Sequence, residues 1–423
     1  MKKNKRSFLL ALACFGMLNG LVPSAEAATA PSAPTILLDG YPLTFAAEPR
    51  LVEGRTMVPF RVIAQALGID VQWDGKTRTI TADKDGKHIQ MQLDNPQVMV
   101  NGVATQLPVA PFEQNGHTLI PLQFFSTQFG AQVNWEPATR TVSIASPRQK
   151  LHTTAFYAIS SYSQRQYIPA FDAVAFGWAR IDGNAQLTLE GKDFYWPKPA
   201  NDITPEKIIE ATKEQGTAPS LMVFATDGTG ELTRLLSEPG LRERAIAEIV
   251  SLAKEKGFAG VSLDFEGLGL SGDIALARQQ FTEFVQLLAK PLHESGILLS
   301  LVLHPLNSSY QGYDYASLGK VADELVLMAY AYEDEKRPEP MGKVNEAITM
   351  ALAHVPKEKL LLGISAASED EQSIDSKVGL AKRHGLKGIA LWRLGLITEA
   401  EKARLAQSIE MKEAAPAFLQ SSS

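Results

Sequence analysis

The sequence predicts an α/β protein, a (β/α)8 barrel (TIM barrel) preceded by a small duplicated α+β domain. Three observations predict it. From residue 151 onward, short continuously apolar runs alternate with helical stretches, the pattern of parallel strands covered by helices. Eight such units fit in about 260 residues, the size of a closed barrel. Before residue 147, one pattern of strand, helix and hairpin occurs twice, 62 residues apart.

The chain starts with Lys2, Lys3, Lys5 and Arg6, then an apolar stretch from Phe8 to Val22, then A-x-A patterns at Ala25–Ala27 and Ala28–Ala30. That order is expected of an export signal over residues 1–27, removed to give a secreted or cell-wall-associated protein. A stable membrane span is not expected, because Asn19 and Gly20 interrupt an apolar run shorter than the roughly 20 residues needed. Lipid attachment at Cys14 is a weaker alternative, since very little apolar sequence precedes it. Cys14 is the chain's one cysteine, so a mature chain must be held by packing rather than by disulfides. The full sequence carries 41 basic and 47 acidic residues, a formal charge of -6 that becomes -9 without residues 1–27. Phosphate binding needs a basic face, so a nucleic-acid partner is not expected. The sequence carries no pattern that sets an oligomeric state.

The repeat appears when "RTMVPFRVIAQALGIDVQWDGKTRTITA" (55–82) is laid over "HTLIPLQFFSTQFGAQVNWEPATRTVSIA" (117–145). Pro59 meets Pro121, Gly68 meets Gly130, and Trp73 meets Trp135; "LDG" (38–40) meets "VNG" (100–102) at the same offset. Each unit reads as a short strand, a helix starting after the proline with Val62, Ile63 and Leu67 at helical spacing, and a hairpin. In the first hairpin Asp74-Gly75 is the turn. Trp73 and Trp135 read as core residues of their own units, with a glycan-stacking pair as the alternative. Residues 35–146 resemble the copper amine oxidase N-terminal-like repeat domain of exported Gram-positive proteins, which implies a role in attachment or presentation. No metal or cofactor is expected, because only His88 and His117 lie here, at unmatched positions.

After a linker at 147–151, the barrel is expected over 151–410 with a tail at 411–423. Its strands read "TTAFYAI" (153–159), "AVAFGWA" (173–179), "SLMVFA" (220–225), "GVSLDF" (260–265), "LLSLVL" (298–303), "ELVLMAY" (324–330), "LLLGIS" (360–365) and "GIALWR" (388–393). Between most of them lie amphipathic helices such as 240–257, with Ile246, Ile249, Val250 and Ala253 on one face. A doubly wound open sheet would instead want a Gly-rich phosphate turn after an early strand, and "SSYSQ" is not one.

The fourth strand, "GVSLDFEG" (260–267), ends in two acids. Alternation puts Ser262, Asp264 and Glu266 on one face, towards the barrel axis, and Val261, Leu263 and Phe265 on the other. The acids then stand roughly 6 to 7 Å apart along the strand, at the carboxyl end where barrel enzymes place their chemistry. Crowding and burial would keep one of them protonated near neutral pH. An ion-paired strand end or a helix cap is the plainer alternative.

"FAGVSLDFEG" resembles the catalytic strand of glycoside hydrolase family 18, whose signature is D-G-x-D-x-D-x-E. "LMAYAY" (327–332) resembles that family's M-x-Y-D on strand six, and "GIALWRLG" (388–395) its eighth strand. The nearest shape is the spore-wall branch, with G-V-N-I-D-F-E. The resemblance implies a glycosidase acting on cell-wall or chitin-like glycan. Glu266 would be the general acid, Asp264 its partner, Tyr330 the contact to the substrate acetamide and Trp392 the floor of the sugar site. Ser262 and Trp178 are expected to line the substrate site; Trp178 and His304 lie at strand ends beside the mouth, and core packing is the plainer reading of those two. Two departures stand out: Ser262 replaces an Asp of the signature, and Ala331 replaces the Asp after the strand-six tyrosine. They leave open a degenerate barrel that binds glycan without cutting it.

Overall fold

The computed structural model describes residues 33–412. The expected export segment at 1–27 and most of the expected tail lie outside them, while Lys412 is held on the barrel, its Nζ donating to the Gly216 carbonyl at 2.8 Å.

In the N-terminal part, strand Arg55–Pro59 pairs antiparallel with strand His117–Pro121, with Val58 opposite Ile120. Those two residues are 62 apart, so each is paired with its own repeat equivalent and a local two-fold axis runs between them. The helices Phe60–Ala66 and Leu122–Gln128 start after Pro59 and Pro121, and Ile63, Ile80, Ile120, Phe125, Val142 and Ile144 share one apolar core. The first hairpin turns at the expected place but by a longer route. Asp74 accepts from Lys76 N at 2.8 Å and Thr77 Oγ at 2.9 Å, and the left-handed residue is Arg78 at φ +54°, not Gly75. The core reading of the tryptophans is corrected: Trp73 only packs against the edge of the core, and Trp135 is 38% exposed. Each borders a cleft built across the two-fold axis, of about 630 Å3 at Trp135 and about 420 Å3 at Trp73.

The barrel strands are β1 (His152–Tyr157), β2 (Ala173–Ile181), β3 (Ala218–Thr226), β4 (Gly260–Glu266), β5 (Leu298–Leu303), β6 (Glu324–Leu327), β7 (Leu360–Ser365) and β8 (Gly388–Trp392). All run parallel, and β8 returns to β1 with Gly388 opposite His152, which closes the ring and excludes the open sheet. A side chain at Gly388 would overlap the His152 carbonyl. Outward residues Val261, Leu263 and Phe265 meet the helical layer, where Phe281 and Phe284 of helix Ile274–Glu294 lie 6.2 and 5.7 Å from the Phe265 ring. Inward residues Phe156, Met222, Val302, Val326, Leu361 and Ala390 fill the barrel.

The link after β1 is a 3-10 segment, Ile159–Ala170. One expectation fails locally. β6 ends at Leu327, three residues before the expected Tyr330, because Ala329 N and Tyr330 N turn back to the carbonyls of Leu327 and Met328, each at 2.8 Å.

The N-terminal part rests on the helix Glu371–His384. Arg383 donates to the carbonyls of Leu38, Tyr41 and Pro42, and Lys382 pairs with buried Asp39 at 3.9 Å. Each glycine is packed by a side chain of the other part, so that a side chain at Gly379 would overlap that of Asp39, and one at Gly40 would overlap the Ser376 hydroxyl. The expected linker is also bonded, with Arg148 Nε donating to Ile409 O at 3.2 Å.

Candidate active site

Alternation along β4 carries Ser262, Asp264 and Glu266 up the barrel interior. Ser262 and Asp264 are buried, and the Glu266 side chain, at the rim, is 32% exposed. The two carboxyls come within hydrogen-bonding reach of each other. Burial pushes Asp264 well above the usual carboxylate range, and the neighbouring Glu266 adds to the shift. Burial, with the charge of Glu335 from the loop after β6, raises Glu266 to about 7. One strand end therefore holds an exchangeable proton up to about neutral pH, as a property of the pair. Asp264 Oδ1 is buried without a hydrogen-bond partner.

Tyr330 joins this cluster from the irregular segment after β6. Its hydroxyl is held far towards the protonated form by burial and by the charges of Asp264 and Glu266. The ring lies over β7 at Gly363, where a Cβ would stand 2.8 Å from Tyr330 Cε1 and 2.7 Å from the Leu327 carbonyl. Glycine is required by that close approach. Trp392 ends β8 facing inward, half-buried, with its ring 5.4 Å from Phe156.

Trp178 does not join them. It shares the outward face of β2 with Val174 and Phe176, is fully buried, and packs on Tyr157 and Trp196 at 6.0 and 5.4 Å. The inward positions of β2 there are the small Ala175 and Gly177. His304, at the end of β5, does reach the cluster: its Nε2 stands 4.0 Å from Glu266 Oε2, without a hydrogen-bond partner. Stacking on Tyr310 at 4.0 Å fixes its ring, and burial lowers it to about 4, so it is neutral near pH 7.

Sequence reasoning missed Phe194, whose ring packs against Phe224 at 4.4 Å and lies 6.2 Å from Trp392, above Gly177. The aromatic run "DFYW" (193–196) in an otherwise polar loop was the available clue. Phe224 was legible as the next inward residue after Met222. Among the described residues no three His, Cys, Asp or Glu side chains converge as a metal-ligand set, and His88 is paired with Asp83 at 2.6 Å, so the donors of a copper centre are not supplied.

A parallel eight-stranded barrel with a proton-sharing carboxyl pair at its mouth has the framework of a glycosidase. The profile of glycosyl hydrolases family 18 matches residues 152–369, more than half of the chain, and the chain belongs to that family. Residues 37–144 match the copper amine oxidase N-terminal domain. A cortical fragment-lytic enzyme of Bacillus subtilis is 28% identical over 166 residues, covering 36% of this chain and 37% of that protein. Chitotriosidase-1 of Mus musculus is 24% identical over 253 residues, covering 58% of this chain and 50% of the relative. The chain thus spans half or less of these two relatives. Among solved structures, the spore cortex-lytic enzyme of Bacillus cereus matches with TM-score 0.51 at 19% identity, over 62% of this chain and 75% of the other. A chitinase from Chromobacterium violaceum matches with TM-score 0.51 at 22% identity, over 61% and 98%. At those identities the structural likeness speaks for the fold. Among the described residues no helix is long and apolar enough to cross a membrane.

Proposed function

We propose that this chain is an exported glycosidase that cleaves N-acetylglucosamine-containing polymer, in peptidoglycan, spore cortex or chitin, by a substrate-assisted retaining mechanism. The observation that carries the reading is the Asp264–Glu266 pair, which keeps a proton to about pH 7 at the barrel mouth. In family 18 the substrate's own acetamido carbonyl attacks the anomeric carbon, so no enzyme nucleophile is needed. Glu266 donates its proton to the glycosidic oxygen, and later takes one from the incoming water. Asp264 orients the acetamide N–H and stabilises the positive oxazolinium-like intermediate, while the Tyr330 hydroxyl donates to the acetamide carbonyl. Trp392 supplies the apolar face for the sugar at the cleavage point.

Ser262 cannot take a proton from Asp264 as the family's aspartate can, so here the shared proton is divided between Asp264 and Glu266 alone. Loss of one oriented polar group typically lowers turnover by a factor of roughly 100 to 1000, a slower enzyme rather than a dead one. The test is mass spectrometry of products after digestion of purified cortex, sacculi and chitin by the wild type and Glu266→Gln. Release of N-acetylglucosamine-containing fragments by the wild type alone is expected. Equal release by both proteins would remove Glu266 from the role, and tight binding without any release would favour a glycan-binding barrel, the reading that Ser262 and Ala331 suggest.

A further inference from the structure

The segment that presents Tyr330 has left the sheet, so its backbone groups need other partners. Two buried charged side chains supply them. Lys377 Nζ donates to the Ala329 carbonyl at 3.1 Å, and Glu339 accepts from Ala331 N at 2.7 Å and Tyr332 N at 3.3 Å. Ala331 sits between these contacts at φ +57°, a left-handed position that a non-glycine residue holds only when its surroundings fix it.

Lys377 is fully buried, and its charge is met by Glu369, also fully buried, at 2.7 Å. The Glu369 carboxylate has no hydrogen-bond partner besides this ammonium. Such a pair is a poor stabiliser: desolvation of two charges is offset only in part by their attraction, and an apolar pair of similar volume is often as stable or more so. Stability therefore does not account for it. Its position does, because Lys377 Nζ touches the carbonyl one residue before Tyr330 and lies 5.9 Å from the centroid of the Tyr330 ring. Gly363 limits the ring from the β7 side. The ring is thus confined by β7 and by an ammonium that also holds its backbone.

We propose that Lys377, neutralised by Glu369, is a positioning residue that sets where the Tyr330 hydroxyl stands in the sugar site. This rests on the role given to Tyr330 above. Lys377 touches no substrate; it acts by fixing the 328–332 backbone, and Glu369 keeps its charge tolerable in the interior.

The test replaces the pair together, Lys377→Met with Glu369→Leu, so that neither partner is left buried without the other, while Glu339, whose charge also faces Lys377, keeps its two backbone donors. The unfolding midpoint is measured first, and a value near or above the wild type is expected. Initial rates on chitotetraose then separate kcat from KM. A fall in kcat of roughly 10- to 100-fold with KM within about threefold is expected, the effect of a displacement of about 1 Å at a reacting group. The double change is repeated in a Tyr330→Phe background, where it should produce less than about a twofold further loss. An equal further loss in that background, or full activity of the double variant in the wild-type background, overturns the proposal. If Tyr330→Phe alone leaves kcat unchanged, the role of Tyr330 has failed instead, and that of Lys377 falls with it. Should the double variant lose its cooperative unfolding, Glu339→Gln in the same two backgrounds loosens the other support of the segment, and additive losses there overturn the proposal too.

Discussion

β4 and β6 both deliver side chains to the mouth, but they hold them by different means. β4 stays in register with β3 up to Thr226 opposite Glu266, so Asp264 and Glu266 are aimed by the sheet ladder itself. β6 leaves the ladder at Leu327, and Tyr330 is aimed by Lys377, Glu339 and the absence of a side chain at Gly363. A ladder position follows from alternation and can be read along one segment. A position held by distant side chains depends on residues 339, 363 and 377, which the sequence near Tyr330 does not disclose.

The comparison breaks if the two ends respond alike to mutation. The largest effect is expected at β4: Glu266→Gln should lower turnover by roughly 100- to 10,000-fold without loss of fold. The same variant has a signature in stability. The folded-state value of Glu266, about 7, lies above its ordinary 4.5, so its contribution is fully present below about pH 4.5 and lost as pH rises through 7. Glu266→Gln should therefore unfold like the wild type at pH 4 and be more stable at pH 8, by about 1–2 kcal/mol once partial exposure is allowed for. Denaturant titrations at the two pH values check this, and a variant less stable at pH 8 would contradict it.

At the β6 end, activity and stability should fall together. Gly363→Ala drives a methyl against the Leu327 carbonyl and the Tyr330 ring, and should destabilise by about 1–3 kcal/mol while lowering kcat roughly tenfold or more. Thermal melts beside initial rates would show it; unchanged kcat with a lowered midpoint would mean that Tyr330 is not aimed from that side. The smallest effect is expected for Glu339→Gln, which keeps one acceptor for Ala331 N or Tyr332 N and should destabilise by about 1–2 kcal/mol.

Much of the barrel was legible because parallel strands are apolar throughout and helices separate them: β5 and β7 match their expected limits to the residue. The limit of β6 was not, since Met328, Ala329 and Tyr330 continue an apolar run and nothing local marks the backward turn. Trp178 was placed beside the mouth because a strand-end tryptophan invites it, although alternation with Phe176 turns it outward. His304 was read as packing, and its approach to Glu266 depends on the pairing of β4 with β5. In the repeat, the 62-residue offset exposed the duplication, but the two-fold pairing through Val58 and Ile120 makes clefts from both copies, which is why Trp135 is not the core of its own.

The close fit of Gly40 against the Ser376 side chain and of Gly379 against the Asp39 side chain bears on how this architecture could be recombined. A front module transplanted from another protein would meet a helix whose surface at Gly379 is filled by the Asp39 side chain, and any recipient barrel would need a glycine at the same spot. Chimeras joined within the bonded stretch 147–151 should therefore assemble only when both halves of the glycine contact are carried over together.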